Sequence, residues 1–365
     1  MGISFYNFES LHDSSFQKAA MERIAKIVSD GSFVEGEYNT KFENEFAKLQ
    51  GSKHCLLVGN GTDALEISLL ACGVGHGDKV GVPGITFYAS AEAVLNIGAT
   101  PILIDVEYDT GLISIESLKR TLTHHNLKAV MPVHIYGLPA NISEINKLAE
   151  AHDFSIVEDA AQAQGAKLES GPIGSSGNLT TFSFYPTKNL SAFGDAGCIL
   201  TDSDELAKAI RAIRNHGRDD EERLGRNSRC DHIQAAVLHL KLEKISQYND
   251  QRKKVAAIYF KELEGINAGL LNKKYVETSS WHLFPIQLKD KAEASSLMGH
   301  LKSKNIGNTS FYEKALSGER PLSHLEGEKT EAERKAGSTV CLPIHPFLTS
   351  DEVKLVANEV KAFLS

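Results

Sequence analysis

The sequence predicts an α/β fold, with a large domain built on a mostly parallel, seven-stranded sheet and a smaller C-terminal α+β domain. Seven short apolar runs rich in β-branched residues alternate with amphipathic helical stretches between about residues 50 and 240. Such alternation is typical of a parallel sheet with helices packed on its faces. After about residue 240 the alternation stops, which indicates a change of architecture.

The predicted strands are short and follow one another at intervals that leave room for helices. In chain order they are His54–Val58, Lys79–Val82, Pro101–Val106, Ala129–Val133, Ser155–Glu158, Thr180–Phe184 and Cys198–Thr201. Apolar residues at helical spacing predict helices over Ala64–Ala71, Ala89–Ile97, Ile115–Leu122 and Ile142–His152. In open parallel sheets ligands bind where strands end and helices begin, so these turns are the first places to look for a site.

The C-terminal part of the chain has a different pattern. A long polar and amphipathic helix is predicted over Ile233–Leu263, and a second helix over Ser350–Leu364. We therefore expect a large domain over residues 1–245, on which the N-terminal segment packs, and a small domain over residues 246–365. The polar run Asp219–Arg223 predicts a solvated loop.

The composition is that of an ordinary globular protein and argues against several functional classes. Hydrophobic residues make up 42% of the 365 residues, and a net charge of −8 argues against a nucleic-acid-binding protein, which normally presents a basic face. No apolar run reaches membrane-spanning length and the N-terminus resembles no secretory signal, so we expect a soluble, cytoplasmic protein. The five cysteines are scattered, which predicts free thiols and no metal site.

The first candidate motif is Gly59–Asp63 (GNGTD), which follows a predicted strand and opens a predicted helix. Backbone N–H groups at such a turn, together with the helix dipole, form an anion-binding site. In the alternative interpretation this is an ordinary glycine turn, and Thr62 or Asp63 caps the helix. A helix terminus contributes only about 0.3–1 kcal/mol to binding a charge, so tight binding of an anion needs further donors.

The second candidate is Asp159, which follows the strand predicted over Ser155–Glu158 and stands directly before a predicted helix. In one interpretation it simply caps that helix. In the functional interpretation its carboxylate keeps a proton on the nitrogen of a pyridine ring. That positive charge is what makes a pyridoxal ring withdraw electrons.

The third candidate is Lys188, which lies among apolar residues just beyond the strand predicted over Thr180–Phe184. Most lysines are solvated surface charges, and this is the alternative here. A lysine that forms an imine must lose its proton, so its pKa has to fall from about 10.4 through burial or a neighbouring cation. Ser183 offers a hydroxyl to a phosphate from the same turn. An anion site, Asp159 and Lys188 together are the groups that hold pyridoxal phosphate (PLP).

With these residues the sequence resembles the DegT/DnrJ/EryC1/StrS family of sugar aminotransferases, which are PLP-dependent transferases of fold type I. The resemblance extends from Gly31–Phe46 to Leu342–Pro346. Its most specific segments are Gly59–Leu65, Gly84–Ala89, Pro132–Gly137, Glu158–Ala163, Ser183–Leu190 and Asn227–Ala236.

The resemblance implies four residues that contact the ring of PLP. Lys188 forms the Schiff base with the cofactor and moves the proton during the reaction, and Asp159 pairs with the pyridine nitrogen. Gln162 lies beside the ring hydroxyl or the phosphate. Phe87 stacks on the ring; a phenylalanine of the hydrophobic core is the alternative.

The resemblance also implies a phosphate site that two subunits complete. Thr62, Asp63 and Ser183 match the residues that bind the phosphate. Asn227 matches a residue that reaches the phosphate from the neighbouring subunit, which implies a homodimer with its active sites at the interface. Arg229 either assists Asn227 or forms an ion pair at that interface.

The implied reaction transfers an amino group, from glutamate by analogy, to a nucleotide-linked keto-sugar. Lys188 stands where the family's deoxygenating members carry a histidine, which favours transamination. The segment Asn227–Arg229 (NSR) is similar to that of members acting on 3-keto-sugars rather than 4-keto-sugars. Asn305–Lys314 departs from the family, in which a Tyr-Pro pair and a histidine are common, so the sugar stays open. The alternatives are a PLP-dependent sugar dehydratase and a non-catalytic PLP-binding regulator.

Overall fold

A seven-stranded sheet contains all seven predicted strands. The computed structural model describes residues 2–218 and 224–365, so the loop predicted over 219–223 lies outside the described residues. The strands of the large sheet are β1 (His54–Val58), β2 (Lys79–Pro83), β3 (Thr100–Ile104), β4 (Ala129–Val130), β5 (Ser155–Asp159), β8 (Leu179–Ser183) and β9 (Gly197–Thr201), and a separate hairpin contains β6 (Lys167–Leu168) and β7 (Gly171–Pro172). The spatial order of the strands in the large sheet is β1-β9-β8-β5-β4-β2-β3, and β9 alone is antiparallel to its neighbours. The prediction of a mostly parallel sheet is therefore confirmed.

Helices connect the strands of this sheet where the hydrophobic spacing predicts them. The predicted helix over Ile142–His152 is found with the same bounds, and the other three differ from prediction by at most three residues at either end. Three further helices precede β1. The helices up to residue 218 are α1 (Phe8–Leu11), α2 (Ser14–Asp30), α3 (Glu37–Gln50), α4 (Gly61–Ala71), α5 (Ala89–Asn96), α6 (Ile115–His124), α7 (Ile142–His152) and α8 (Asp204–Arg214).

The single helix predicted over Ile233–Leu263 is wrong, because the structure has two helices there. These are α9 (His232–Leu242) and α10 (Ile245–Glu262). The Lys244 N–H donates to the Lys241 carbonyl at 3.1 Å, a three-residue turn that interrupts the four-residue spacing of an α-helix. Neither glycine nor proline stands at the break, so the sequence carries no local signal for it.

The C-terminal region adds a small antiparallel sheet and three helices. These elements are β10 (Gly269–Leu270), β11 (Phe284–Gln287), α11 (Lys291–Ser303), α12 (Thr330–Lys335), β12 (Thr339–Leu342) and α13 (Ser350–Leu364). The predicted bounds of α13 are confirmed. The N-terminal segment pairs with this region, since the Ile3 N–H donates to the Asn305 carbonyl at 2.9 Å. The division of the chain between residues 245 and 246 stays a prediction.

The carboxyl ends of β1, β5 and β8 lie at one edge of the large sheet. β5 ends at Asp159 and β8 ends at Ser183, which pairs with Gly197 of β9. Gly197 pairs with Val58, the last residue of β1, on its other side. A Cβ at position 197 would lie 2.5 Å from the Asn60 carbonyl oxygen, so only glycine lets β1, β9 and β8 approach this closely.

Two general predictions can be compared with the structure. All five cysteines lie within the described residues and all five are free thiols, as predicted. No helix in the described part of the chain is long and apolar enough to span a bilayer.

Candidate active site

Lys188 lies in the loop between β8 and β9, and its environment weakens its hold on a proton. Its backbone N–H donates to the Tyr185 carbonyl at 2.8 Å, which fixes the turn. Burial lowers the pKa of Lys188 to about 8, and the negative charge of Asp159 opposes part of this shift. Burial, and not a neighbouring cation, is therefore the cause of the lowered pKa. A useful fraction of the amine is then unprotonated near neutral pH and can attack a carbonyl carbon.

This pKa sets the pH dependence of cofactor capture by the apoprotein. Only an unprotonated amine attacks an aldehyde. If Lys188 forms the predicted Schiff base, the capture rate should therefore rise about tenfold per pH unit below pH 8 and level off above it. Stopped-flow absorbance measurements between pH 6 and pH 10 would give this profile. The same measurement with Nα-acetyllysine in place of the protein controls for changes in the ionisation of PLP itself. A protein rate that still rises beyond pH 10 would mean that Lys188 has an ordinary lysine pKa.

Asp159 is buried, and two hydrogen bonds fix its carboxylate. The side chain is 6% exposed. Ser90 donates its hydroxyl to Oδ2 at 2.9 Å, and the Ala161 N–H donates to Oδ1 at 3.1 Å. The residues after Asp159 form turns, so the helix predicted there is wrong and Asp159 does not cap one. The charge of Asp159 acts on Lys188, so the two side chains lie close enough to interact electrostatically. Their joint role at a cofactor stays a prediction.

The start of α4 and the end of β8 form a candidate phosphate cradle. The Asn60 side chain accepts the Asp63 N–H at 2.8 Å, so Asn60 is the N-cap, and the alternative of a cap at Thr62 or Asp63 is wrong. A Cβ at Gly61 would lie only 2.7 Å from the Ser183 Cβ, which shows how closely Ser183 approaches the helix terminus. Thr62, the next residue, is half-buried at the same terminus.

The close approach of Gly61 to Ser183 predicts a loss of cofactor affinity when Gly61 is enlarged. Gly61→Ala forces the helix start and β8 apart, since the new methyl group would lie 2.7 Å from the Ser183 Cβ. Overpacking of this kind costs about 1–3 kcal/mol, so the dissociation constant of PLP should rise about tenfold. Equilibrium dialysis would measure it. Gly75→Ala is the matched control, because a Cβ there meets no described atom within 4 Å; equal affinities in the two variants would contradict the cradle.

Asp63 lies at this terminus, but its own groups have partners within the chain. Its N–H is bound to Asn60, and its carboxylate accepts the Ser228 hydroxyl at 2.6 Å. Ser228 also accepts the Gly59 N–H at 3.0 Å. Asp63 therefore ties the 227–229 segment to the cradle, and its predicted contact with the phosphate stays a prediction.

Asn227 is exposed, beside the segment that Ser228 ties to the cradle. Its backbone forms an isolated antiparallel bridge with Asn215. The neighbouring Arg229 donates to the Asn215 side chain at 3.2 Å. The side chain of Asn227 is thus open to solvent in a single chain, near the start of α4.

Gln162 and two tyrosines connect the β5 end to the C-terminal region. The Gln162 side chain accepts the Tyr136 N–H at 2.6 Å and donates to the Tyr312 hydroxyl at 2.9 Å. Burial and the charge of Asp159 raise the pKa of Tyr312, so its phenol stays protonated at neutral pH. Tyr312 lies in the 305–314 segment, whose departure from the family pattern leaves the identity of the sugar open. The structure brings this segment to the site.

Phe87 presents its ring to solvent between β2 and α5. Its side chain is 61% exposed, which excludes the alternative of a core phenylalanine. The Phe87 carbonyl accepts the Ser90 N–H at 3.1 Å, so one turn carries both the ring and the hydroxyl that binds Asp159. An exposed aromatic ring beside a buried carboxylate can stack on a flat, charged ligand.

Four site residues were missed by reasoning from sequence. They are Ser90, Asn189, His282 and Tyr312. Asn189 directly follows Lys188 and donates to the Ser280 carbonyl at 2.8 Å. His282 is buried, and its pKa is lowered by burial and by the charges of Lys188 and Arg252. Ser90 had a usable signal, since it stands one helical turn after Phe87; His282 had none, because only folding brings it near Lys188.

Together these groups fit PLP. A buried carboxylate suits a protonated pyridine, an amine with a lowered pKa suits an aldehyde, and a helix terminus beside a serine hydroxyl suits a phosphate. The exposed Phe87 ring gains buried area when a flat ring covers it.

Comparison with known proteins gives a consistent result. The model of the DegT/DnrJ/EryC1/StrS aminotransferase family matches residues 14–361. The structure is similar to that of S. venezuelae DesV, with a TM-score of 0.94 and 32% identity, covering 100% of this chain and 99% of that one. The predicted architecture is therefore confirmed.

Three curated relatives are similar over nearly their whole length. UDP-N-acetyl-3-dehydro-α-D-glucosamine 3-aminotransferase of Acidithiobacillus ferrooxidans is 34% identical, covering 97% of this chain and 96% of the relative. The dTDP-3-amino-3,4,6-trideoxy-α-D-glucose transaminase of Streptomyces venezuelae is 36% identical, covering 93% and 90%. A protein of Geobacillus stearothermophilus named a pleiotropic regulatory protein is 34% identical, covering 94% of each chain.

Proposed function

We propose that this chain, which belongs to the DegT/DnrJ/EryC1/StrS aminotransferase family, transfers an amino group from glutamate to the C3 ketone of a nucleotide-linked sugar. PLP is its cofactor, and its fold is that of the PLP-dependent aminotransferases of fold type I. The observation that carries the proposal is the pair Lys188 and Asp159. Burial lowers the pKa of the lysine to about 8, and the charge of the buried Asp159 carboxylate acts on it.

The residues of the pocket divide the work of the reaction. Bound PLP supplies an aldehyde that bonds to amines and a ring that withdraws electrons. Lys188 would hold the cofactor covalently at Nζ until the amino donor displaces it. The freed Nζ would then take a proton from the donor carbon and return one during transfer to the sugar. Asp159 keeps the pyridine nitrogen protonated. Ser183 and Thr62, with the N–H groups at the start of α4, bind the phosphate.

The remaining residues orient the cofactor and complete the site. Phe87 would stack on the ring. Gln162, which Tyr136 and Tyr312 hold in place, would contact the ring hydroxyl or the phosphate. In this proposal Asn227 contacts the phosphate of the PLP that a second copy of the chain binds. Asp63, through Ser228, fixes the position of the 227–229 segment. The exposure of Asn227 supports a homodimer whose active sites lie at the interface.

A nucleotide-linked 3-keto-sugar is the substrate class that two observations favour. Two of the relatives are named for amino groups at C3 of UDP-linked or dTDP-linked sugars. Ser228, in the Asn227–Arg229 segment that resembles members acting on 3-keto-sugars, is 2% exposed and donates its hydroxyl to Asp63, so a larger side chain would not fit there without rearrangement. The nucleotide and the substituents at the other carbons stay open.

The test is an assay of the purified holoenzyme with glutamate and matched 3-keto- and 4-keto-sugars on UDP and on dTDP. We expect 2-oxoglutarate and an amino-sugar nucleotide in equal amounts from a 3-keto substrate, measured by coupled absorbance and mass spectrometry. Faster turnover of the 4-keto partner would overturn the choice of C3. Aspartate and alanine in place of glutamate would test the donor.

Two other outcomes would favour the alternative functions. Loss of water from the sugar without formation of 2-oxoglutarate would indicate a PLP-dependent sugar dehydratase. Binding of PLP without turnover of any keto-sugar would favour a non-catalytic regulator, an alternative that the name of the Geobacillus relative supports. Formation of 2-oxoglutarate from glutamate would exclude that alternative, because a protein that only binds PLP does not turn over an amino donor.

A further inference from the structure

Two buried hydroxyl groups lie in line behind Asp159. Thr86 and Ser90 are 3% and 0% exposed. The Thr86 hydroxyl lies 2.8 Å from the Ser90 hydroxyl, and the Ser90 hydroxyl lies 2.9 Å from Oδ2 of Asp159. Burying a hydroxyl group costs free energy unless it is hydrogen-bonded. Here the two hydroxyls are hydrogen-bonded to each other and, through Ser90, to the Asp159 carboxylate.

The direction of these hydrogen bonds follows from the donors available. An ionised carboxylate only accepts, so Ser90 must donate to Asp159. The Ser90 proton is then used, so Thr86 must donate to Ser90. The chain therefore runs from Thr86 to Ser90 to Asp159, and each bond strengthens the next by polarisation. Hydrogen bonds to the charged form of a carboxylate favour that form.

The chain also fixes the orientation of the Asp159 carboxylate. Ser90 holds Oδ2, and the Ala161 N–H holds Oδ1 at 3.1 Å, so donors on two different segments set the plane of the group. Thr86 and Ser90 flank Phe87 in the same turn. One turn thus places the ring-stacking side chain and, through Asp159, the group that faces the edge of the ring.

We propose that Thr86 and Ser90 are positioning residues, which hold the Asp159 carboxylate in the orientation that pairs with the pyridine nitrogen of PLP. The proposal rests on the role given to Asp159 in the proposed function. Neither hydroxyl is required to touch the cofactor or the substrate. Their contribution is to hold the carboxylate before the cofactor arrives, so that binding does not have to order it.

The main test compares Ser90→Ala and Thr86→Val with matched buried controls. Ser68→Ala and Thr180→Val remove hydroxyls that are equally buried and have no hydrogen-bond partner among the described residues. The measured quantities are the dissociation constant of PLP and the pH midpoint of the visible absorbance of the bound cofactor. Lys188 and Tyr312, the titratable neighbours of Asp159, are unchanged in every variant.

We expect Ser90→Ala to weaken PLP binding about tenfold, as the loss of a hydrogen bond to a charged group typically does. A less firmly held carboxylate leaves the pyridine less often protonated and the ring less electron-withdrawing, so the midpoint should move to higher pH. Thr86→Val should produce a smaller shift in the same direction. The proposal is overturned if the controls produce the same changes, or if Ser90→Ala leaves both quantities unaltered.

A double-mutant cycle separates positioning from general packing. In an Asp159→Asn background, Ser90→Ala should have little further effect on PLP affinity, because the charge it supports is gone. Full additivity of the two effects would mean that Ser90 acts on packing alone. Both measurements are made without donor or sugar, so they are independent of whether the aminotransferase assay succeeds.

Discussion

Replacing Lys188 with alanine is expected to abolish turnover and the visible absorbance of the lysine-linked cofactor. The variant loses both the amine that holds the cofactor covalently and the base that moves the proton. General acid–base catalysis by a positioned side chain contributes about 10²–10⁴-fold, and the loss of the covalent link adds to this. The absorbance spectrum of the purified protein with PLP, and formation of 2-oxoglutarate, would measure the two losses.

Lys335→Met is the matched control for that experiment. Lys335 is also buried, its pKa is lowered to about 8 by burial, and it donates to the Tyr108 carbonyl at 2.9 Å. Its replacement is expected to cost stability but to keep the absorbance and the activity. Such a result would show that a lowered lysine pKa is not enough, and that the residues around Lys188 define the cofactor site. Absorbance that survives in Lys188→Ala would assign the covalent link to another amine.

Asp159→Asn is expected to lower the turnover rate by about 100- to 1000-fold, the range seen when one charge-stabilising group is removed. The amide has nearly the shape of the carboxylate and can still accept from Ser90 at 2.9 Å, so the fold is kept. The neutral side chain cannot keep the pyridine protonated, and the ring withdraws electrons less well. Single-turnover rates with glutamate alone would isolate this effect from sugar binding.

Asp105→Asn is the control for the general effect of removing the charge of a buried carboxylate. Asp105 is 7% exposed and accepts the Glu331 and Ala332 N–H groups at 2.9 and 2.8 Å, at the start of α12. We expect this variant to lose thermal stability while its single-turnover rate stays within about twofold of the parent, as for sites far from the chemistry. An equal loss of rate in both variants would remove Asp159 from the proposed role.

The large sheet was predictable because each strand is a short apolar run between helical stretches. β1 is found with the predicted bounds, and β5 with one additional residue, Asp159. The errors arise where local pattern and tertiary structure differ. The residues after Asp159 form turns because the Ala161 N–H bonds back to the Asp159 side chain. Apolar spacing continues across the break at Lys244, since the helices on both sides bury a face.

The candidate site was predictable where one segment carries both the chemistry and its position. Asp159 and Ser183 are the last residues of two neighbouring parallel strands, and Lys188 lies in the loop that follows the second of them. The sheet alone therefore brings them to one edge. Tyr312 reaches Gln162 from 150 residues away, and no spacing in the sequence encodes that contact. The Asn60 cap was missed because the two residues after Gly61 are also good capping types.

The edge position of β1 has a consequence for the order of assembly on the ribosome. This strand's only neighbour in the sheet is β9, in which Thr201 pairs with His54. At about 5–20 residues per second, the partner strand leaves the ribosome roughly 10 to 30 s after β1 has been made. Until then β1 cannot join the sheet, because β9 lies between it and β8. Its apolar residues stay accessible to chaperones, and the strands that flank the phosphate cradle are not yet assembled.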